Sequence, residues 1–341
     1  MAKENAADLS IQLPLAPVYL LHGTQDYLIQ LMKNKLIKEA LSSEERDFNL
    51  SVYDMTEVAL KVALEDAETI PFFGERKVVV LENAFFLTSE KIKSKVEQDS
   101  RALENYLSQP APDAVLILLA PYEKLDKRKK IVKVLQTKAK VHELSKVSDS
   151  TIFQLMENVA RQFGASYTRE AHEQLIVSVG TNLGQLAHEV EKCALYCGTD
   201  RPIDRETVLT VGSKSIESNV FLLVNEVMKK NTAESLRLLH DLVRMKEEPL
   251  KLLALLERQF RIVYQVGYYQ KAGYTQGSMA SKIGIHPFAV RMAADQARQY
   301  SPQMLTRALS RCAEADYRIK TGAVDKLLAL ELLIHQIACS E

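Results

Sequence analysis

Residues 114–119 read Ala-Val-Leu-Ile-Leu-Leu, six apolar residues in a row with no polar interruption. Such a run is typical of a strand that is buried on both faces of a sheet. Further short runs that favour strands occur at 18–21, 50–53, 77–81 and 140–144. The segments between them have the spacing of amphipathic helices. This alternation predicts a five-stranded parallel sheet with helices on both faces.

The helices between the strands are predicted from apolar residues spaced three and four apart. One covers about 57–68, and a long amphipathic helix covers about 89–107. After Leu144 the strand pattern stops and helical spacing continues nearly to the end, with a break near Gly322. A second boundary falls in the polar linker Gly212-Ser213-Lys214-Ser215. The predicted domains are an α/β domain over 1–146, a small helical domain over 147–213 and a helical domain over 214–341.

Charge is balanced over the whole chain, with 44 basic and 44 acidic side chains. This balance excludes a generally basic, nucleic-acid-coating protein. The three predicted domains nevertheless carry net charges of −1, −4 and +5, so only 214–341 has the sign that attracts phosphate. The same domain contains an apolar stripe that we expect to pack against partner subunits, namely Leu250, Leu253, Leu256 and Phe260.

Cysteine content argues against a disulfide-stabilised protein, and hydropathy argues against a membrane-spanning segment near the start of the chain. Four cysteines in 341 residues are too few for a disulfide framework. Cys193 and Cys197 stand four apart on a predicted helix, which indicates packing and not a redox or zinc site. The apolar run at 11–21 contains two prolines and is too short to cross a membrane. We therefore expect a soluble cytoplasmic protein with no membrane partner.

The turn after the first strand, His22-Gly23-Thr24-Gln25-Asp26, stands where many parallel sheets bind nucleotide phosphates. A P-loop needs two glycines and a lysine for the terminal phosphates. This turn has one glycine, no lysine and a carboxylate of its own. No motif for nucleophilic or metal-dependent catalysis stands out elsewhere. The residues thus predict no bound ATP, no metal and no catalytic residue.

An aromatic pair occurs in Ile70-Pro71-Phe72-Phe73-Gly74, between the second helix and the third strand. Proline ends the helix, and glycine lets the chain turn into the strand. Two interpretations stay open on the residues alone. Both phenylalanines cap the end of the sheet, which composition favours, or they project together and insert into a pocket on a partner.

Residues 279–290 resemble a helix-turn-helix in the spacing of Ala280, Gly284 and Val290. The second helix would carry Arg291, Asp295 and Arg298, which offer little for reading bases. Helical packing is the favoured interpretation, and a DNA-binding regulator is one alternative function. An active AAA+ ATPase is the other, although it would need the missing phosphate-binding lysine.

Several segments together resemble the delta subunit of the bacterial DNA polymerase III clamp loader. They occur in the order of that family and span nearly the whole chain, at 18–23, 70–80, 180–196, 280–290 and 319–322. The resemblance implies a degenerate AAA+ module, a small helical lid and a C-terminal helical collar domain. It also implies a subunit that neither binds nor hydrolyses ATP, within a holoenzyme that has DNA-directed DNA polymerase activity.

The same resemblance implies a partner for each end of the chain. Its members bind the sliding clamp, or beta subunit, and open the ring so that it can be loaded on primed DNA. The residues implied to bind the clamp are Ile70, Pro71, Phe72, Phe73 and Gly74. The collar domain is implied to join subunits of the gamma/tau and delta-prime types.

A DNA-facing corner is predicted at the break between the last two helices. Arg318 and Lys320 come directly before Thr321-Gly322, in the only domain with net positive charge. We expect these two residues to contact primed DNA in the assembled loader.

Overall fold

One five-stranded parallel sheet, ordered β2-β3-β4-β1-β5, forms the first part of the fold. The computed structural model describes residues 11–90, 92–145, 147–213, 216–285 and 287–339. The strands are β1 (Val18–His22), β2 (Leu50–Asp54), β3 (Lys77–Glu82), β4 (Ala114–Ala120) and β5 (Lys140–Glu143). Every residue of β4 is buried, because helices cover both faces of the central strands. The predicted fold class is confirmed.

The helices of the first part connect these strands. They are α1 (Asp26–Ala40), α2 (Arg46–Asn49), α3 (Leu60–Ala67), α4 (Ser100–Tyr106) and α5 (Lys130–Lys138). A short 3₁₀ turn at Phe85–Leu87 follows β3. The core consists of side chains from both the sheet and these helices, among them Leu20, Leu64, Leu81, Leu118 and Leu135.

The long helix predicted over 89–107 is wrong over most of its length, since α4 covers only Ser100–Tyr106. Gln98 uses its side chain elsewhere: its Nε2 donates to the Met55 and Val58 carbonyls, and its Oε1 accepts from the Leu60 N–H. This amide therefore satisfies the backbone around the start of α3 and does not support a helix of its own. Lys91, within the predicted range, lies outside the described residues.

The rest of the described chain is helical. Its helices are α6 (Asp149–Gln162), α7 (Arg169–Val179), α8 (Leu183–Cys197), α9 (Arg205–Val211), α10 (Ile216–Met228), α11 (Thr232–Arg244), α12 (Pro249–Lys271), α13 (Gln276–Ile283), α14 (Pro287–Gln299), α15 (Pro302–Lys320) and α16 (Lys326–Ala338). Side-chain caps mark several starts, as at Thr168 and Ser301, and the helical spacing that the sequence predicted beyond Leu144 is observed.

The chain divides into two compact units, 1–152 and 153–341. The predicted boundaries at 146 and 213 stay predictions, and Lys146, Lys214 and Ser215 lie outside the described residues. Cys193 and Cys197 are buried thiols on α8. Burial raises the pKa of the Cys193 thiol to about 11, so the thiol is neutral and inert.

The apolar stripe of α12 was assigned wrongly to partner subunits. Leu253, Leu256 and Phe260 are almost fully buried in the core of their own unit, and Leu250 packs against that core. The reason is that α12 lies between α10, α14 and α15. Leu328 and Leu332, one turn apart on α16, are among the apolar side chains that stay exposed. Within the described part of the chain, every helix is too short or too polar to span a bilayer.

Candidate functional site

The amino ends of β2 and β3 lie next to each other, since Leu50 pairs with Val78 in parallel register. The segments that lead into two such strands must meet at the same edge of the sheet. These segments are α2, which ends at Asn49, and the loop between α3 and β3. We call residues 70–74 of this loop the aromatic loop.

Asn49 holds the backbone of the aromatic loop through its side chain. Its side chain is fully buried. The Phe72 N–H donates to Asn49 Oδ1 at 2.8 Å, and Asn49 Nδ2 donates to the Phe73 carbonyl. A buried amide that meets both a donor and an acceptor fixes the conformation of the segment it binds. The two phenylalanines are therefore presented by a defined backbone.

Both phenylalanines of the loop project from the fold. Phe72 is 76% exposed and Phe73 is 41% exposed, while Ile70 beside them is 88% exposed. Phe48 of α2 joins them, at 58% exposure. Ring centroids lie 5.3 Å apart for Phe48–Phe72, 5.4 Å for Phe48–Phe73 and 6.1 Å for Phe72–Phe73. We call these three side chains the aromatic cluster.

A partly buried ion pair closes the base of the loop. Lys77, the first residue of β3, places its Nζ 2.5 Å from Asp66 Oδ1 and 2.7 Å from Thr69 Oγ1 at the end of α3. Burial alone would raise the pKa of Asp66, but hydrogen bonds from Lys77, Ser51 and Tyr53 hold it below its usual value. The two ends of the loop are thus tied together beneath the exposed rings.

Gly74 ends the aromatic loop with a backbone that favours glycine. Its φ is +82°, in a region that side-chain-bearing residues rarely adopt. A Cβ at this position would also meet the end of the flexible Glu45 side chain. Glycine therefore lets the chain turn sharply from the exposed rings into β3, as its place in the sequence predicted.

The turn after β1 lies at the opposite edge of the sheet and is filled by the chain itself. The Gly23 N–H donates to the Ala120 carbonyl at 3.2 Å, and the Gln25 N–H donates to the Leu144 carbonyl at 3.0 Å. Gly23 has φ +138°, and a Cβ there would lie 2.5 Å from the carbonyl carbon and oxygen of Leu144. Two backbone donors of this turn are therefore used within the chain.

The two predicted DNA-contact residues lie on different faces of α15. Lys320 pairs with Asp316 at 2.8 Å on the exposed side of the helix. Arg318 is half-buried in a groove beside Arg311 and Gln336. Two positions apart on a helix, they diverge by about 200°. The structure does place both at the end of α15, directly before the break that the sequence predicted at Gly322.

The helix-turn-helix resemblance corresponds to α13 and α14, joined at Gly284 in left-handed conformation. Recognition helices read bases from their first turns. In α14 those turns carry Phe288, Ala289 and Met292, which line a groove together with Ile176 of α7. These three side chains are apolar and offer no hydrogen-bonding group for reading bases. His286, between the two helices, lies outside the described residues.

Two family models match the chain, and both describe one subunit. The model described as "DNA polymerase III, delta subunit" covers residues 19–145, and "DNA polymerase III delta subunit, C-terminal domain" covers 217–337. DNA polymerase III subunit delta of Bacillus subtilis is 39% identical over 321 residues, which is 94% of this chain and 92% of the relative. The chain belongs to the DNA polymerase III delta subunit family.

Two further comparisons agree with this family. A protein of Aquifex aeolicus described as a probable DNA polymerase III subunit delta is 23% identical, over 80% of this chain and 77% of its own. The solved structure of the Bacillus subtilis DNA clamp loader delta protein superposes with a TM-score of 0.63 and 39% identity, covering 95% of this chain and 96% of that one. The family that the sequence motifs indicated is confirmed.

Two residues of the site in this family member, Phe48 and Asn49, were not predicted from the sequence. Neither belongs to a motif, and they stand more than 20 positions before the aromatic loop. One signal was available: Phe48 is a lone aromatic residue between Asp47 and Asn49, directly before a strand. Its proximity to Phe72 follows only once β2 and β3 are known to be neighbours.

Proposed function

We propose that this delta-family chain binds the ring-shaped sliding clamp through its aromatic cluster and opens one interface of the ring for loading on primed DNA. The observation that carries the proposal is the exposure of Phe72 and Phe73 on a backbone that Asn49 fixes. Large exposed aromatic side chains on a rigid base are typical of the anchors that dominate protein interfaces.

Ring opening requires that the subunit bind the distorted ring more tightly than the closed ring. Truncating a hot-spot aromatic side chain to alanine costs about 2–4 kcal/mol of binding free energy. The three aromatic side chains, with Ile70 beside them, can therefore supply several kcal/mol of binding energy towards opening the clamp. Pro71 and Gly74 shape the loop, and Ile70 extends its apolar surface.

We propose further that the chain acts without ATP, a metal or a catalytic residue of its own. The Gly23 and Gln25 N–H groups at the turn after β1 already have carbonyl acceptors, which supports this proposal. Nucleotide-dependent steps then belong to other subunits of the complex. We expect those to be of the gamma/tau and delta-prime types, joined through the C-terminal helices, where Leu328 and Leu332 are exposed.

Primed DNA is the remaining proposed partner, contacted at the end of α15 by Arg318 and Lys320. Because the two side chains diverge, they would contact different phosphates and would not hold a single phosphate between them. Each phosphate contact steepens the salt dependence of DNA binding by about one unit. Replacing each residue singly by alanine in the assembled complex should therefore flatten that dependence by similar amounts.

The central experiment measures clamp affinity and thermal stability on the same variant. Phe72→Ala combined with Phe73→Ala should weaken binding to the organism's sliding clamp by at least a hundredfold. The melting temperature should hardly change, since both side chains are exposed. Leu195→Ala, which removes an equally exposed apolar side chain on α8, is the control and should leave clamp binding unchanged.

Two outcomes would overturn the proposal. A stable double variant that binds the clamp normally would show that the aromatic cluster is not the anchor. An early-melting variant would show that the two rings belong to the core, because truncating a buried phenylalanine costs about 3–5 kcal/mol.

A further inference from the structure

Four helices of the second unit surround the groove beside α14. α7 contacts α10, α10 contacts α12, α12 contacts α14, and α14 contacts α7. The space between them, bordered by the start of α8 and the turn at Gly284, is a cavity of about 720 Å³. Sites for small molecules typically have volumes of about 300–1,000 Å³ and mostly apolar walls. This cavity, which we call the four-helix cavity, thus has the size of a ligand site.

The wall of the four-helix cavity is mainly apolar, and part of it still meets water. Each of the four helices contributes at least one apolar side chain that the fold leaves only partly buried. These partly buried side chains are Val179, Ile216, Phe221, Ile262, Ile285, Phe288 and Met292. Covering them with an apolar group is favourable, because their remaining surface leaves water. An apolar ligand body is therefore stabilised inside the cavity.

The charge at the cavity comes from Arg258, the one charged side chain among its described lining residues. Arg258 is exposed on α12 and forms no ion pair with any carboxylate that the structure describes. By contrast, Arg261 on the same helix pairs with Glu257. A guanidinium without a partner beside an apolar wall favours an anion, and a carboxylate matches its planar donors. The lining therefore selects for an anionic group on an apolar ligand.

A buried hydrogen-bond donor lies next to the cavity wall. Gln296 is 3% exposed and follows Met292 by about one turn on α14. Its Oε1 accepts from Nε2 of Gln259, a lining residue, at 3.3 Å. Its own Nε2 is buried and has no acceptor within the described part of the chain. Buried donors are rarely left in this state, so an oxygen atom of a ligand between α12 and α14 would supply the missing acceptor.

We propose that the four-helix cavity binds a small amphipathic anion, a molecule with an apolar body and one carboxylate. The apolar body covers the partly buried side chains of the wall, and the carboxylate oxygens accept from Arg258 and Gln296. The proposal rests on this cavity alone and is independent of clamp binding by the aromatic cluster. Fatty acids and aromatic acids share this chemistry.

A second cavity of similar size, beside α4 and α5 in the first unit, has the opposite charge. Its volume is about 830 Å³, and three carboxylates line it, those of Glu90, Glu97 and Glu104. Both lysines among its described lining residues are engaged within the chain, since Lys129 donates to two main-chain carbonyls and Lys130 pairs with Glu104. Such a lining repels anions. We therefore expect an amphipathic anion to bind in the four-helix cavity and not in this one.

The fluorescent anion anilinonaphthalene sulfonate tests the proposal on the full chain. Its rings stand for the apolar body, and its sulfonate stands for the carboxylate. Arg258→Gln should weaken its binding about tenfold, because a charge-assisted contact is lost. Arg261→Gln changes another exposed arginine of the same helix and should keep the affinity within about twofold. Equal affinities of Arg258→Gln and the wild type would overturn the proposal.

The contact with Gln296 has its own test. Gln296→Met keeps the length of the side chain but removes the amide, so the anion should bind about threefold more weakly. The neutral analogue N-phenylnaphthylamine should bind this variant and the wild type equally, because it has no sulfonate to accept the N–H. Equal losses for both compounds would show that the variant distorts the cavity and would contradict the contact.

Two matched substitutions locate the bound anion. Ala289→Trp places a large ring at the cavity wall and should weaken binding at least about tenfold. Ala254→Trp, at an exposed alanine of α12 outside the lining, is the control and should leave binding unchanged. Neither should lower the melting temperature much, since both positions are exposed. Normal binding by Ala289→Trp, or loss of binding in the Phe72→Ala, Phe73→Ala double variant, would place the anion elsewhere and overturn the proposal.

Competition identifies the chemical class of the ligand. Decanoate and naphthoate carry one carboxylate each, on a chain and on a ring system, and at least one of them should displace the fluorescent anion. Decanol, which has the same chain as decanoate without the charge, should be at least about tenfold less effective. Displacement by decanoate alone would assign a fatty-acid ligand, and displacement by naphthoate alone an aromatic acid. Failure of both carboxylates, or equal displacement by decanol, would overturn the proposal.

Discussion

The two edges of the parallel sheet use the same kind of connection in opposite ways. At the carboxyl edge, the turn after β1 is closed by its own chain, with the Gly23 and Gln25 N–H groups bound to carbonyls. At the amino edge, the aromatic loop before β3 stays open and exposes Phe72 and Phe73. Ligands of open α/β sheets usually bind at the carboxyl edge. In this fold the exposed phenylalanines lie at the other end of the strands.

This difference shows that a parallel sheet can close the turn at one edge with its own main chain and expose apolar side chains at the other. At the carboxyl edge, the hydrogen bonds of the Gly23 and Gln25 N–H groups to main-chain carbonyls stabilise the turn. The amino edge needs a separate scaffold, which Asn49 and the Lys77–Asp66 ion pair provide. Each of these contacts can be broken on its own, and the expected effects differ in size.

The largest loss of stability is expected from Lys77→Met at the base of the aromatic loop. Removing the ammonium leaves the Asp66 carboxylate half-buried without its closest partner. Breaking one side of a fully buried pair costs about 3–5 kcal/mol, and we expect the lower end, about 3 kcal/mol, because Asp66 keeps some contact with solvent. Urea unfolding should show this loss, and Asp66→Asn combined with Lys77→Met should recover most of it. If the double variant is no more stable than Lys77→Met, the ion pair does not explain the loss.

The same pair predicts how stability depends on pH. The folded state holds the pKa of Asp66 below its ordinary value of 3.8, so the pair stabilises the fold above that pH. The contribution is lost as pH falls through the lowered pKa. Stability measured from neutral pH down into this range should fall more steeply in the wild type than in the double variant.

Gly23→Ala and Gly74→Ala compare the two edges directly. At Gly23 the added Cβ meets main-chain atoms of Leu144 that cannot move away, so we expect a loss of about 2–3 kcal/mol. At Gly74 it meets only the end of the Glu45 side chain, and the cost of the positive φ is about 1–2 kcal/mol. Urea unfolding of both variants measures the difference. Equal losses would mean that the carboxyl edge is no tighter than the amino edge.

Asn49→Ala should lower both stability and clamp affinity. It leaves the Phe72 N–H and the Phe73 carbonyl without their buried partner, at a cost of about 1–2 kcal/mol. Because the rings remain but lose their fixed backbone, clamp binding should weaken about tenfold. Asn105→Ala, at an exposed position of α4, is the control and should change neither quantity. Normal clamp binding by Asn49→Ala would show that a fixed loop is not required.

The smallest effect concerns ATP at the carboxyl edge. Calorimetric titration of the purified chain with ATP should give no binding heat, because the turn offers a carboxylate and no lysine. Micromolar binding that Gly23→Ala removes would place a nucleotide at this edge after all and would end the contrast between the two edges.

The sequence predicted those features that depend on local patterns. Apolar runs located β3 and β4, and helical apolar spacing located the helices after β5. The aromatic loop was found because Pro71 and Gly74 bracket its two phenylalanines. Phe48 and Asn49 were missed because their role follows from the order of the strands, which apolar runs do not encode.

Two predictions were wrong for a related reason. Amphipathic spacing over 89–107 suggested one helix, but Gln98 bonds to the backbone beside α3. The stripe that ends at Phe260 suggested a partner surface, but α12 is central in its own unit. In both cases apolar spacing does not show what a segment packs against.

The bonds from Asn49 end on main-chain atoms of the aromatic loop, and this has an evolutionary consequence. Such a scaffold places no requirement on the side chains that it presents. Leucine, methionine or tryptophan could replace either phenylalanine while the loop keeps its path. The proposed specificity for one sliding clamp would therefore be able to change through two codons, while the fold beneath the loop stays the same.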